Sequence, residues 1–233
     1  MSKKTKSKKP KGISPEEFLK NLNTLDLLDG NFSDNDALAL MKLAKESIKD
    51  KSGPFNFLEI GTWKGKSLIC LSVIISKFPE SKIFAIDHFK GTFGTNEEQL
   101  AKTNDILTTC KNNLKIVNAS DIVCLLNMNY FDAIKILKQK FFDFIYIDMD
   151  NSYQVMKSVL CDSRNLIKSG GMICGRNLIA DYLDVKEIID SNLNKEYLEE
   201  SKMHPGIIRS VYDVFANKYQ KMDNSSFWYW INN

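Results

Sequence analysis

Five short apolar segments, each followed by an amphipathic stretch, set the tightest limit on what this chain can fold into. "FNFLEI" leads to "KSLICLSVIISKF", "KIFAID" to a loop and "EEQLAKTNDILTTCKNNL", and "IVCLL" to "YFDAIKILKQ". "FDFIYID" then leads to "SYQVMKSVLCDSRNLI", and "GMICG" to "ADYLDVKEIIDSNL". Strands of that length alternating with helices of that period predict a mostly parallel sheet, doubly wound, with helices on both faces. The end of the chain breaks the alternation. "IIRSVYDVFANKYQ" and "SFWYWIN" are rich in β-branched and aromatic residues and are separated by the polar "KMDNSS". They are expected to add an antiparallel strand pair at the sheet edge, which makes seven strands in an α/β fold. The consecutive aromatics of "FWYW" predict that both faces of the last strand are covered.

Ahead of the first strand, two helices are expected. In "SPEEFLKNLNTLDLL", Ser14 would cap, Pro15 takes the first helical position and Glu17 completes a capping box. In "SDNDALALMKLAKESIKDKSG", Ser33 caps and Ala37, Leu40, Met41, Ala44 and Ile48 fall on one stripe. The segment 13–52 is therefore read as N-terminal helices acting as a lid or dimer contact, ahead of a main domain spanning 53–233. The first twelve residues, "MSKKTKSKKPKG", hold six lysines and no acid, and read as a disordered basic tail. Without those six, 26 basic residues face 29 acidic ones, so the body is slightly acidic although the whole chain carries +3. The tail could meet nucleic acid, but no aromatic residue interleaves its lysines for base stacking.

The longest apolar run, "LICLSVII", is far short of the ~18 residues that suggest a membrane span, and no apolar core follows the basic start as in a leader peptide. A cytoplasmic protein without a membrane partner is the expectation. The five cysteines, Cys70, Cys110, Cys124, Cys161 and Cys174, form no CxxC pair and read as small buried hydrophobes.

The stretch most informative about function is "FLEIGTWKGKS". A strand ends in Glu59-Ile60, Gly61 permits a tight turn, and Gly65 lets a helix begin close to a ligand. The spacing is GxxxG. It departs from the GxGxxG of dinucleotide folds and is one residue short of a P-loop. The second strand ends in Asp87, about 20–25 residues beyond the glycines, where an acid can accept ribose hydroxyls. The fourth ends in Asp148. In an open α/β sheet, ligands bind at this carboxyl edge.

Together, "FLEIGTWKGKSLICL", "IFAIDHFKG", "FDFIYIDMDNSYQVMKSVL" and "LIKSGGMICG" resemble class I S-adenosylmethionine (SAM)-dependent methyltransferases, whose fold is Rossmann-like. They look most like the small-molecule O-methyltransferase branch with a DGxHxY-type motif after the fourth strand. "HPGIIRSVYDVF" and the terminal "FWYW" also resemble that branch's last two strands. By this resemblance SAM is the cofactor. Gly61, Thr62, Gly65 and Ser67 would hold its methionine end, and Glu59 would support the turn and favour the ammonium group. Asp87 would bind the ribose. His88 and Phe89 would border the adenine, with Met128 and Asn129 closing that side, and Asp148 would lie near the sulfonium.

The chain also departs from that branch. Asp148-Met149-Asp150-Asn151 stands where Asp-Gly-x-His is usual, and Gly175-Arg176-Asn177 where Gly-His-Asp is usual. Arg176 brings a positive charge to the place where relatives hold a divalent cation, so no metal is expected. The catalytic candidates are Asp148, Asp150 and His204, and Arg176 and Asn177 are candidates for substrate binding. The implied activity is O-methylation of a small molecule or sugar, with a homodimer as one form. The alternatives are a SAM-binding protein without transfer activity, and a nucleic-acid methyltransferase that uses the basic tail.

Overall fold

The computed structural model describes residues 32–233. The basic tail and the helix expected from Ser14, Pro15 and Glu17 lie outside the described residues. In chain order the elements are α1 (Asp34–Ser47), β1 (Asn56–Ile60), α2 (Lys66–Ile75), β2 (Lys82–Asp87), α3 (Asn96–Thr103), α4 (Ile106–Ile116), β3 (Val123–Asn127) and α5 (Tyr130–Ala133). Then follow β4 (Phe142–Ile147), α6 (Tyr153–Leu166), β5 (Ile167–Gly175), α7 (Tyr182–Ser191), α8 (Pro205–Phe215), β6 (Gln220–Lys221) and β7 (Trp228–Ile231). The strands form one sheet in the order β3-β2-β1-β4-β5-β7-β6. β1 to β5 pair in parallel, and β7 runs antiparallel to both β5 and β6.

Period-two alternation builds two cores from this one sheet. Phe57, Ile83, Ala85, Phe144, Tyr146 and Cys174 face α1, α2 and α4. Leu58, Ile60, Ile86, Ile145, Ile147 and Ile173 face α5, α6 and α8. The aromatic end of the chain serves both: Phe227 packs in the first cluster, Trp228 and Trp230 in the second. In α1 the predicted stripe of Ala37, Leu40, Met41, Ala44 and Ile48 is buried throughout. Ser33 caps it reciprocally: Asp36 N–H donates to the Ser33 hydroxyl, and Ser33 N–H donates to the Asp36 carboxylate.

One expected element is overturned. Residues from Ile207 onward were expected to open an edge strand, but Pro205–Phe215 is the helix α8. Pro205 sits in its first turn, where the missing N–H costs nothing. Ile207, Ile208, Val211 and Phe215 then line one helical face and are all buried. The β-branched content pointed to a strand, and burial of that face against α6 and α7 outweighs a propensity of that size. The penultimate strand is therefore only Gln220–Lys221. Smaller differences have local causes. The stretch 97–114 is two helices, because Asp105 accepts the Thr108 N–H at 2.9 Å and starts a new one. β5 begins at Ile167, four residues ahead of the "GMICG" expected from sequence. Cys70, Cys110 and Cys174 are buried, whereas Cys124 and Cys161 are exposed.

Candidate functional site

The carboxyl ends of β1, β2, β4 and β5 open into a cleft of about 770 Å³. Its floor is the turn after β1. Gly61 has φ of +86°, and a Cβ there would lie 2.0 Å from the Asp148 carbonyl oxygen, so only glycine lets β1 and β4 end this close together. The approach is fixed by two backbone bonds: Gly61 N–H donates to Ile86 O at 3.0 Å, and Asp148 N–H to Ile60 O at 2.9 Å. Gly65 N–H closes the turn on Thr62 O at 2.9 Å and leads into α2. Trp63 in the turn, Phe89 after β2 and Asn177 after β5 are non-glycine residues with positive φ.

Asp87 holds that turn directly. Its Oδ2 accepts the N–H groups of Thr62 at 2.8 Å and Trp63 at 2.7 Å, and its Oδ1 accepts the Phe89 N–H at 2.6 Å. A carboxylate offers about four lone-pair sites, so one remains for a ligand hydroxyl. Glu59 lies beneath the turn, fully buried and outside the cleft lining. The Ser67 hydroxyl donates to its Oε1 at 2.7 Å, while Oε2 is buried without a hydrogen-bond partner. Burial pushes the Glu59 carboxyl well above its ordinary range. The Ser67 bond opposes this, and the charges of Asp148 and Asp87 add to it.

At the β4–β5 end, charges are paired. Arg176 Nε donates to Asp148 Oδ1 at 2.9 Å, and the Tyr146 hydroxyl donates to Asp148 Oδ2 at 3.1 Å. The guanidinium also lies 3.7 Å from Asp36 of α1 and over the Phe32 ring, 5.6 Å from its centroid. Burial alone would lower the Arg176 pKa, but Asp148, Tyr146 and Asp36 outweigh it, and the group stays charged.

Of the residues singled out in the sequence, Gly61, Thr62, Ser67, Asp87, His88, Met128, Asn129, Asp148, Asp150, Arg176 and Asn177 line this one cleft. Several are also tied locally. Asn129 Oδ1 accepts the Phe131 N–H as the cap of α5, and Asp150 Oδ1 accepts the Ser152 N–H ahead of α6. His88 Nδ1 accepts the Lys90 N–H at 3.0 Å. Glu59, Gly65, Phe89 and His204 do not line the cleft. The Phe89 side chain is buried in the α1-side core. His204 stands just ahead of α8, its ring 4.8 Å from that of Tyr197 and its Nδ1 3.1 Å from Glu196 O. Burial lowers its pKa.

The cleft also uses residues that the sequence reading passed over: Phe32 and Asp36 beside Arg176, Tyr146 beneath Asp148, and Glu97 and Phe93 on the far wall. Tyr146 could have been found by strand alternation, since it shares a face with Asp148. The others are brought in by the packing of α1 and α3. Among the described residues, no three His, Cys, Asp or Glu side chains are placed to share a metal ion, and no helix is long and apolar enough to cross a membrane.

A sheet of this order, with one reversed strand inserted beside β5 and the glycine turn after β1, is the class I methyltransferase fold. The family model described as a methyltransferase domain matches residues 58–177, just over half of the chain. The chain belongs to the methyltransferase-domain family. Similar solved structures include the O-methyltransferase from Bacillus cereus in complex with SAH, with 20% identity over 92% of this chain and 88% of that one at a TM-score of 0.59. They also include the O-methyltransferase TomG from Streptomyces achromogenes, involved in tomaymycin synthesis and solved with SAM, with 13% identity over 97% and 92% at 0.58. A third is the SAH-bound methyltransferase PaMTH1 from Podospora anserina, with 13% identity over 94% and 87% at 0.58. At these identities the likeness is one of fold. No curated protein matches the sequence significantly.

Proposed function

We propose that this protein is a SAM-dependent methyltransferase that transfers a methyl group to an oxygen of a small molecule or sugar, without a metal ion. The observation that carries the reading is the floor of the cleft. A turn that only glycine can make at Gly61, pinned by the Asp87 carboxylate, lies beside Asp148 in a chain of this family. The residues present fit the cofactor. The backbone at Gly61 leaves room where a side chain would intrude, and the first-turn N–H groups of α2 suit the methionine carboxylate. Asp87 keeps one acceptor site for a ribose hydroxyl, with Met128 and Asn129 on the adenine side. Glu59 contributes from below, bracing Ser67 at the start of α2.

When bound, SAM supplies a methyl group on a positively charged sulfur. The chain's own residues orient the acceptor and take its proton. Orientation in a site of this kind can supply much of the acceleration, and Arg176 and Asn177, which line the same cleft, are the residues we assign to the acceptor. The metal-free reading rests on the donor set. A hard cation wants several oxygen ligands, and both Asp148 oxygens are engaged by Arg176 and Tyr146. We assign residues 53–233 as the catalytic domain, and α1 as a wall that brings Asp36 and Phe32 to Arg176.

Calorimetric titration with SAM and SAH, beside an Asp87→Ala variant, tests this reading. Micromolar binding that weakens at least ~10-fold in the variant, a loss of ~1.4 kcal/mol, supports it, provided far-UV circular dichroism shows the variant folded. Absence of binding to either ligand would sink it. RNA or DNA binding that falls steeply with salt and is abolished by deleting residues 1–12 would move the weight to a nucleic-acid acceptor.

A further inference from the structure

Carboxyl groups reach the cleft from several elements, and their hydrogen bonds divide them. Asp87 spends its oxygens on three backbone N–H groups. Asp148 has one oxygen on the Arg176 guanidinium and the other on the Tyr146 hydroxyl. Asp150 holds the Ser152 N–H at 2.8 Å. In the first turn of α3, Glu98 accepts the Gly94 N–H at 2.9 Å and pairs with Lys102 at 3.0 Å, one turn on. Its neighbour Glu97 differs. Both line the cleft, as does Glu196, but Glu97 makes no ion pair among the described residues, and the one hydrogen bond that lowers its pKa comes from the Thr92 backbone.

The position of Glu97 is fixed from behind. Gly91, with φ of +72°, passes so close to α3 that a Cβ there would meet the carbonyl carbon and oxygen of Glu97 at 2.4 and 2.6 Å. The peptide joining Glu97 to Glu98 is thereby packed against the loop 88–95, beside the cleft that both residues line. The charged groups that act on Glu97 there are Asp148 from β4, Asp87 from β2 and Arg176 after β5. Burial, and then the negative charges of Asp148 and Asp87, push its carboxyl above the ordinary range, against the Thr92 N–H and Arg176. A proton acceptor works best when its pKa approaches the working pH.

We propose that Glu97 is the general base of the transfer, the carboxylate that removes the proton from the acceptor hydroxyl. The proposal rests on reading the cleft as a methyltransferase site. In the step, the acceptor oxygen forms its new bond to the methyl carbon. The carbon–sulfur bond breaks with its electron pair remaining on sulfur, which becomes a neutral thioether. The hydroxyl proton passes to a Glu97 carboxylate oxygen and leaves through the open side of the cleft. Asp148 is left to hold Arg176 in place and Asp87 to hold the glycine turn.

The test uses the full chain, with Glu97→Gln and Glu97→Asp variants and catechol, phenol and glucose as acceptor probes. Methylated product is followed by mass spectrometry and SAH affinity by calorimetry. The expected result is a kcat at least ~100-fold lower in E97Q, with SAH affinity unchanged within about twofold, a loss of only ~0.4 kcal/mol. The acidic limb of the wild-type pH–rate profile should vanish in E97Q, and E97D should recover part of the rate. An E97Q variant that retains kcat within about threefold of wild type, far from the loss a general base should cause, overturns the proposal and leaves the methyltransferase reading standing. Failure of the wild-type chain to bind SAH overturns the reading beneath it instead. SAH binding without methylation of any probe overturns Glu97 as a base for these hydroxyl acceptors.

Discussion

Two groups of charged side chains in this molecule are built differently. On the α6–α7–α8 face, charges are matched. Arg209 Nε pairs with Asp213 at 2.9 Å and its Nη1 with Asp190 at 2.8 Å, while Lys157 and the Tyr153 hydroxyl reach Asp213 at 3.0 and 2.6 Å. The Tyr182 hydroxyl joins the same network through Arg209 and Asp190. Two acids meet two cations, and the arrangement closes on itself. Around the strand ends, Glu59 beneath the turn joins Asp87, Glu97, Asp148 and Asp150 of the cleft, and of these only Asp148 is ion-paired among the described residues. Glu59 keeps a buried oxygen without a partner, and Glu97 and Glu59 both resist ionisation. The first arrangement stabilises helices against one another. The second leaves Glu59 and Glu97 in surroundings that disfavour their charge, and that is where perturbed groups mark function.

The largest effect that would sharpen this contrast is expected from Gly61→Ala. The added methyl meets the Asp148 carbonyl at 2.0 Å in a backbone conformation closed to alanine. A loss of about 3 kcal/mol in urea unfolding is expected from strain and overpacking combined, with SAM and SAH binding abolished. A variant as stable as wild type would mean that β1 and β4 do not meet this closely.

The matched face should respond next. Burial works against the Asp213 charge, but hydrogen bonds from Tyr153 and Lys157 and the charge of Arg209 outweigh it and hold its carboxyl below the usual range. A depressed carboxyl contributes stability that is present above its unfolded pKa and lost as pH falls through its folded one. Asp213→Asn should therefore cost about 1–2 kcal/mol at pH 7 and less once the pH has fallen through the depressed folded pKa of Asp213. An equal cost above and below that pKa would show that the network contributes through packing instead of charge.

The smallest and opposite effect belongs to Glu59. Its carboxyl is raised, so its stabilising form is the protonated one, present below its unfolded pKa and lost as pH rises through its folded one. Glu59→Gln should flatten the decline of stability between mildly acidic and alkaline pH, by up to about 1 kcal/mol per pH unit over the range in which Glu59 ionises. Urea midpoints across that range check it. A steeper decline in the variant would place the Glu59 charge in a compensated site and erase the contrast with Asp213.

Much of this architecture could be read from the chain alone, and the reason lies in how local the signals are. Alternating apolar strands and amphipathic helices specify a doubly wound sheet because each element must bury one face, and the residues that do so recur at periods of two and 3.6. The stripe of α1, the capping Ser33 and the turn at Gly61 are local in the same sense. Gly61 and Asp87 were each legible as strand-end residues, and because consecutive parallel strands end side by side the two share one cleft. The helix α8 was hidden because Ile207, Ile208, Val211 and Phe215 fit a strand by composition. Only the hydrophobic surface offered by α6 and α7 decides for the helix.

Tertiary structure alone decided how the acids of the cleft are used. The sequence placed Asp148 near the reacting groups, and packing set Arg176 and Tyr146 on its two oxygens. The sequence offered Asp87 to a ribose, and the fold also gave it three backbone N–H groups of the turn. Glu97 and Glu98 are chemically identical neighbours. Both line the cleft, but Glu98 is tied to its own helix and loop, whereas Glu97 makes no ion pair among the described residues. Residue type and spacing fixed which groups could reach the strand ends. Burial and partner geometry, which arise when distant segments pack, fixed which of them are already engaged and which is left to accept a proton.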